Sequence, residues 1–289
     1  FAVSGIVPDN RALLDVIPVE YAIAGQGGIR NPIGMRGVKL EMQANVVSAL
    51  LPVCMNLKEV AGALNINALK LVPTAVAAGR AVLLESQKEN GVAVVEMGAA
   101  TTSVAIFMEG FLQYFGVINI GANHITNDIA ISLAVSTEVA EEIKMKYVTA
   151  ELIDNDKPMT MRFGDESISF TKTMVNRIVE DRLIDIFEHV KKEIAIAGYE
   201  KKLPEGVVLT GGGAEMRGIE RFAREHMEVA TRIGLPLMDV THIDNETKKP
   251  RFAVAIGLAL MMNDDMREQE TRVEEKPMSF FGKLFGGGR

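Results

Sequence analysis

Two glycine-rich turns, well over a hundred residues apart, are the segments whose residue types and spacing could do chemistry. The first is VAVVEMGAATTSVAIF, Val92 to Phe107, and the second is GVVLTGGGAEMRGIERF, Gly206 to Phe222. In the first, a β-type run enters Gly98 and another leaves from Thr101. In the second, a β-type run enters Gly211, Gly212 and Gly213, and an amphipathic helix with Gly218 inside it is expected to follow. Glycine lets bare backbone approach a ligand, offers N–H groups to phosphate and leaves a side-chain-free wall for a base. Together the turns point to a nucleotide-binding domain. Read alone, the alternative for the first is a plain hairpin turn, and for the second a helix-entry loop that binds nothing. The spacing G-x-G-x-x-G is not met, which disfavours a dinucleotide.

Between the turns lies a third element of the same kind. Glu141 and Lys144 sit at i and i+3 of an expected helix and share a face. Such a pair is either a solvated surface pair or a clasp for a ligand. Other chemistries find no support. His124, His189, His226 and His242 are scattered, no Cys/His spacing resembles a zinc site, and no serine triad or paired carboxylates stand out.

The elements that must position these residues are legible from periodicity. Val92–Met97, Thr101–Met108 and Phe111–Ile118 are successive β-type runs, the last two joined by the hairpin signal Glu109-Gly110. Helices are expected after Gly121, with Ile125, Ile129 and Leu133 on one stripe, and from the cap Thr137. A long amphipathic helix is expected from about Thr173 to Ala197, carrying Ile178, Leu183, Phe187, Val190 and Ile194. Pro73 opens a helix reading TAVAAGRAVLLES. Upstream, an apolar run (Leu13 to Ile23), an alternating strand (Val38 to Val47) and a short helix (Asn56 to Leu64) read as a small α/β module. RFAVAIGLALMM, after Pro250, reads as a last helix. From Asn263 the composition turns to NDDMREQETRVEEKP, six acids and three bases, which reads as a solvated linker.

Composition sets the outer bounds. The chain has 289 residues, net charge −7 and 48% hydrophobic content, enough for about two domains or one large fold with a sizeable core. The acidic balance, with no dominant basic patch, disfavours nucleic acid as a partner. Cys54 stands alone and cannot form an internal disulfide, which fits a reducing cytoplasm. No apolar run approaches the ~18 residues of a spanning helix, and no signal peptide is visible. The chain opens on Phe1 in what reads as folded sequence, so an amino-terminal part is expected to precede it.

Both turns, their order and the helices between them resemble the FtsA family, the actin-like branch of bacterial division proteins within the actin, Hsp70 and sugar-kinase superfamily. The resemblance covers nearly the whole chain. NPIGMRGVKLE (Asn31 to Glu41) is similar to the loop and strand of a small subdomain peculiar to that family. ITNDIA (Ile125 to Ala130), AEEIK (Ala140 to Lys144), LTGGGAEMRGI and the closing apolar helix also match. The resemblance implies an α/β, actin-like (ribonuclease-H-like) two-lobed ATPase fold. It divides the chain into 1–67 (the family's small subdomain), 68–135 and 198–262 (the second lobe's core), 136–197 (its inserted subdomain), a linker 263–277 and a tail 278–289. The family's first phosphate loop is expected upstream of Phe1.

The resemblance also implies roles. ATP with magnesium is the expected ligand. Gly98, Ala99, Ala100, Thr101 and Thr102 would face phosphate, Gly211, Gly212 and Gly213 the adenine and ribose, and Glu141 with Lys144 would clasp the nucleoside. Glu96 stands where the family has aspartate, positioning a magnesium-bound water. Its longer side chain moves the charge by about an ångström, an error that can cost about a hundredfold in rate. Ala99 and Ala100 replace glycines, at about 1–2 kcal/mol each if those positions need positive φ. Many relatives carry a carboxylate or amide before the proline of LVPTAVAAG; here Val72 can neither act as a base nor hold a water. Slow hydrolysis or none is expected.

Arg182, with Arg177 and Lys146 as lesser candidates, is expected near the site for the carboxy-terminal peptide of FtsZ, where a guanidinium can receive a carboxylate. In the tail, Phe280, Phe281, Leu284 and Phe285 fall on one side of a helix beside Lys283, which fits a bilayer-binding segment. Gly282 interrupts it, so avidity from a filament is expected to matter. The implied protein polymerises and links FtsZ and other divisome proteins to the cytoplasmic face of the inner membrane at the division site. Two other readings stay open: a pilus-assembly actin-like scaffold similar to PilM, and a superfamily kinase or chaperone ATPase.

Overall fold

The computed structural model describes residues 7–66, 70–151, 157–164, 166–237 and 247–274. The tail residues Phe280, Phe281, Lys283, Leu284 and Phe285 lie outside them. The chain starts with β1 (Arg11–Ile23), β2 (Gln26–Ile29) and β3 (Leu40–Leu50), an antiparallel sheet in the order β2-β1-β3. Pro18 has no N–H for a ladder and sits where the β1–β3 register shifts. Helix α1 (Leu51–Ala63) follows at once, with proline in its first turn, where the missing N–H is harmless. It begins earlier than Asn56 because Pro52 starts the helix instead of excluding it. Asn45 ties this module to the rest, donating from Nδ2 to the carbonyls of Leu112 at 2.6 Å and Gln113 at 3.2 Å.

Next come α2 (Thr74–Val82) and α3 (Glu85–Asn90). The sequence predicts one helix here. The chain breaks at Leu83 and Leu84, both extended, because Leu83 is drawn into the core and Gln87 Oε1 accepts the Leu84 N–H to start a new helix. Strands β4 (Val92–Met97), β5 (Thr102–Met108) and β6 (Phe111–Ile118) follow as an antiparallel meander, turning at Glu109 and Gly110. Then come α4 (Ala122–Leu133) and α5 (Thr137–Tyr147). The cap of α5 is Ser136, not Thr137: its hydroxyl accepts the Val139 N–H.

A hairpin of β7 (Pro158–Phe163) and β8 (Glu166–Thr171) leads into α6 (Lys172–Ile196). The chain then adds β9 (Val207–Thr210), a short 3₁₀ turn at Gly212–Glu215, α7 (Ile219–Met227), β10 (Thr231–Ile233) and α8 (Ala253–Glu274). Gly218 lies just before α7 in a left-handed conformation, not inside the helix. The acidic stretch read as a linker continues α8 as far as Glu274. Its Glu, Gln, Arg and Met are good helix formers, and a charged composition does not separate a solvated helix from a coil. Arg80 holds the start of that stretch, pairing with Asp264 at 2.8 Å.

The main sheet has the order β10-β9-β4-β5-β6, with β4, β9 and β10 mutually parallel. Central β4 is buried along its whole length, so VAVVEM shows no polar alternation apart from Glu96. Ala93, Val95 and Met97 join Val104 and Ile106 in a core with residues of α4, α5, α6 and α7. Val92, Val94, Ala105, Phe107 and Val208 join a second core with α2 and α8. Full burial of side chains such as Met97, Ile106 and Phe187 contributes about 1.5–3 kcal/mol each. The period of two then places Glu96, Ser103 and Thr210 on the α2 side of the sheet.

Candidate functional site

Because β4 and β9 run parallel and adjacent, their carboxyl ends emerge together. Glu96, one residue before the end of β4, stands opposite Thr210, the last residue of β9. The two glycine turns are therefore neighbours. In α/β sheets, ligands gather where adjacent strands present such ends. Gly211, at φ +89°, is the point of contact: a β-carbon there would lie 2.6 Å from the Met97 carbonyl oxygen and 2.8 Å from Glu96 Oε1. Only glycine fits both the backbone and the space. Gly213 packs on the Met97 side chain, whereas Gly212 has no atom within 4 Å of where a β-carbon would sit.

The first turn folds on itself, with the Gly98 N–H donating to the Thr101 carbonyl at 2.9 Å. Its carbonyls point the other way. Gly98 and Ala99 accept the N–H groups of Ala122 and Asn123 at 2.9 and 2.8 Å, which caps the first turn of α4. The N–H groups of Ala99 and Ala100 have no main-chain partner among the described residues. Neither alanine has positive φ, so the strain considered for the replaced glycines does not arise. Thr102 is fully buried and donates to the Ile120 carbonyl at 2.8 Å, which leaves half-buried Thr101 as the more accessible hydroxyl of the pair.

Glu141 and Lys144 reach the same place through α4. They pair at 2.7 Å, with Glu141 45% exposed and Lys144 only 10%. Thr126 donates to Glu141 Oε2 at 2.6 Å; Lys144 Nζ donates to Thr126 Oγ1 at 2.8 Å and to the Ala122 carbonyl at 3.2 Å. Burial pushes the Glu141 carboxyl up, but the bonds from Lys144 and Thr126 outweigh it and hold it below the usual range. This is an anchored, half-sheltered pair rather than a solvated one. Glu142 and Lys146 pair further round α5, and there it is the lysine that lies open, 55% exposed against 10% for Lys144.

Glu96 is 7% exposed and faces the start of α2. Burial raises its pKa above the ordinary carboxyl value, and a bond with Thr74 opposes the rise. Val72 is half-buried and brings no polar group. An oxygen donor of this kind, beside two bare-backbone turns, fits a hard cation held through water.

Arg182 is the sequence candidate whose surroundings differ most from expectation. Its guanidinium forks onto both carboxylate oxygens of Asp128, at 2.7 and 3.0 Å, and reaches Asp185 at 2.7 Å. The Asp128 bond raises its pKa. It locks α6 to α4. Arg177 is exposed on α6, and Lys146 is engaged by Glu142.

Sequence reasoning passed over Thr74, Ser103 and Thr126. Ser103 was within reach, since counting outward across the β4–β5 turn pairs it with Glu96. Thr74 and Thr126 carry no local signal, because tertiary packing alone brings them to the carboxylates.

Comparison with known proteins adds kinship to this geometry. A family model described as cell division protein FtsA matches residues 93–257, and one described as the SHS2 domain inserted in FTSA matches residues 2–48. The chain is 31% identical to the cell division protein FtsA of Pseudomonas aeruginosa over 258 residues, covering 88% of this chain and 62% of that protein. It is 32% identical to that of Borreliella burgdorferi, covering 91% and 64%. The chain thus spans a little under two thirds of these relatives. Among solved structures, a PilM–PilN type IV pilus biogenesis complex superposes with TM-score 0.64 at 19% identity, covering 88% of this chain and 67% of that one. MreB5 of Spiroplasma citri bound to ADP gives 0.61 at 17%, covering 77% and 68%. These likenesses establish the actin-like α/β fold.

Proposed function

The chain belongs to the FtsA family of cell division proteins, and from that premise we propose that it binds ATP between its two glycine turns as a ligand for assembly. One observation carries the reading: Gly98–Thr101 and Gly211–Gly213 sit side by side, with the Glu141–Lys144 pair anchored to α4, whose amino end the first turn caps. The unpartnered N–H groups of Ala99 and Ala100, with the Thr101 hydroxyl, would meet phosphate. Gly212 would lie against the base or ribose. Glu141 would accept from the ribose hydroxyls, its carboxyl already ionised by Lys144. Glu96 would hold magnesium through water, and the ion would supply charge neutralisation to the phosphates.

Turnover is slow or absent in this reading. The half-buried Val72 offers no base, and Glu96 reaches out from a buried seat instead of the shorter aspartate. ATP then acts by favouring one arrangement of the protein, and filaments follow. The remaining division roles rest on family membership. The protein docks the carboxy-terminal peptide of FtsZ near Arg177, Lys146 and Arg182, contacts other divisome proteins and is held at the cytoplasmic face of the inner membrane by residues 278–289. The match of residues 2–48 to the FtsA-inserted domain favours this reading over a PilM-like scaffold, which shares the fold.

Calorimetric titration of the intact protein with ATP and magnesium tests the site: saturable binding supports it, and its absence refutes it. Brisk phosphate release would refute the slow-turnover part. Liposome co-sedimentation with FtsZ, with and without residues 278–289, tests the tether. Equal pelleting of both forms removes it.

A further inference from the structure

Every nitrogen of the Arg182 guanidinium already donates to a carboxylate. Nε and Nη2 fork onto Asp128 at 2.7 and 3.0 Å, and Nη1 reaches Asp185 at 2.7 Å. The Nε–Nη2 edge presents parallel N–H bonds that match a carboxylate in bidentate geometry, and Asp128 fills it. The two acids are held differently. Asp185 lies one turn along the same helix, and its other oxygen is 3.2 Å from His189 Nδ1. Asp128 comes from α4, and among the described residues its carboxylate has Arg182 as its one hydrogen-bond partner. The pair also touches water: the side chains of Arg182 and Asp128 are 27% and 26% exposed.

We propose that Asp128 is a built-in competitor for Arg182, an autoinhibitory contact that an acidic peptide must displace in order to dock. Charge disfavours simple addition. One cation already faces two carboxylates, so the cluster is net negative, and a third carboxylate brought alongside is repelled. Substitution avoids this: the incoming carboxylate takes the vacated edge, and Asp128, which already touches water, is hydrated instead. Asp185 stays in place, because it shares a helix with Arg182 and has His189 as a second neighbour. The apparent affinity is then lowered by the small fraction of molecules in which Arg182 is free of Asp128.

The proposal rests on the reading above that Arg182 receives the partner's acid, and its test separates the two. Binding of a synthetic FtsZ carboxy-terminal peptide to the intact protein is measured by fluorescence anisotropy for wild type, Asp128→Asn, Asp185→Asn, Arg182→Ala and the Asp128→Asn, Arg182→Ala double variant. Loss of a competing charged hydrogen bond predicts that Asp128→Asn binds about tenfold more tightly. Asp185→Asn leaves the Asp128 edge filled and should gain less than about threefold. The double variant should bind no better than Arg182→Ala. Equal gains from the two aspartates would mean general charge relief and overturn the competition. If Arg182→Ala binds like wild type, the docking reading fails and the proposal falls with it. If Arg182→Ala loses the peptide yet Asp128→Asn gains nothing, the docking reading stands and the competition alone is overturned. The nuclear magnetic resonance signal of the Arg182 Nε–H in wild type guards against a variant that folds poorly. Asp128 is its partner, so saturating peptide should move that signal, and an unmoved signal with peptide bound overturns displacement.

Discussion

Gly211 and Met97 touch through their backbones: a β-carbon on Gly211 would stand 2.6 Å from the Met97 carbonyl oxygen. Two turns distant in sequence are thus joined at a point where no side chain fits. Gly211→Ala should therefore destabilise the protein by roughly 2–3 kcal/mol, from a glycine-only conformation and a main-chain clash that cannot relax. Gly212→Ala, facing open space, should leave stability within about 0.5 kcal/mol and still weaken ATP binding. Urea unfolding and nucleotide titration of the two variants check this, and equal stability losses would contradict the packing described.

Glu141 and Glu142 are adjacent in sequence, and each pairs with a lysine on α5. Glu141→Gln should weaken ATP binding about tenfold, since it removes an ionised acceptor already oriented by Lys144 and Thr126. Glu142→Gln should change affinity less than about twofold, because its partner Lys146 is a solvent-exposed lysine rather than one anchored to α4. Similar effects from both would return Glu141 to the solvated-pair reading.

Arg182 is committed to Asp128 and Asp185 before any partner arrives. Arg182→Ala should cost about 1–3 kcal/mol of stability by leaving a half-buried carboxylate without its fork. Arg177→Ala, on the exposed face of α6, should cost almost nothing. If both variants unfold like wild type while only Arg182→Ala loses the FtsZ peptide, Arg182 is a recognition residue and its internal pairing is incidental.

Burial raises the Glu96 pKa above 4.5, and Thr74 only partly offsets it. A raised folded-state pKa favours the protonated group in the folded protein. Its stabilisation is complete below the unfolded value near 4.5 and is lost as pH rises through the folded value. Glu96→Gln cannot ionise and escapes that loss. Its melting temperature relative to wild type should therefore climb between pH 4.5 and neutrality and then level off. A difference independent of pH would show that the carboxylate is not held in a dehydrated seat.

The strands β4, β5 and β6 were legible because they are short, β-rich and separated by glycine turns, and α4 and α6 because their apolar stripes are long. Local chemistry also misled. LLPVCM hid the start of α1, a charge-rich composition read as linker where α8 continues, and two leucines that looked helical end α2 because the core needs Leu83. Each miss is a case where tertiary packing or helix propensity overrode a compositional cue.

By itself the sequence determined the kinds of chemistry available. It supplied two glycine turns fed by strands, an acid and a lysine one helical turn apart, and an apolar residue where a base would stand, because residue type and period are local properties. Only the tertiary structure decided that these meet. The parallel pairing of β4 with β9 set Glu96 beside Thr210, and the docking of α4 carried Lys144 to the Ala122 carbonyl. It also turned Arg182 inward onto Asp128. Those are contacts between segments far apart in the chain, fixed by the burial of two opposite faces of one sheet, and no local pattern encodes them.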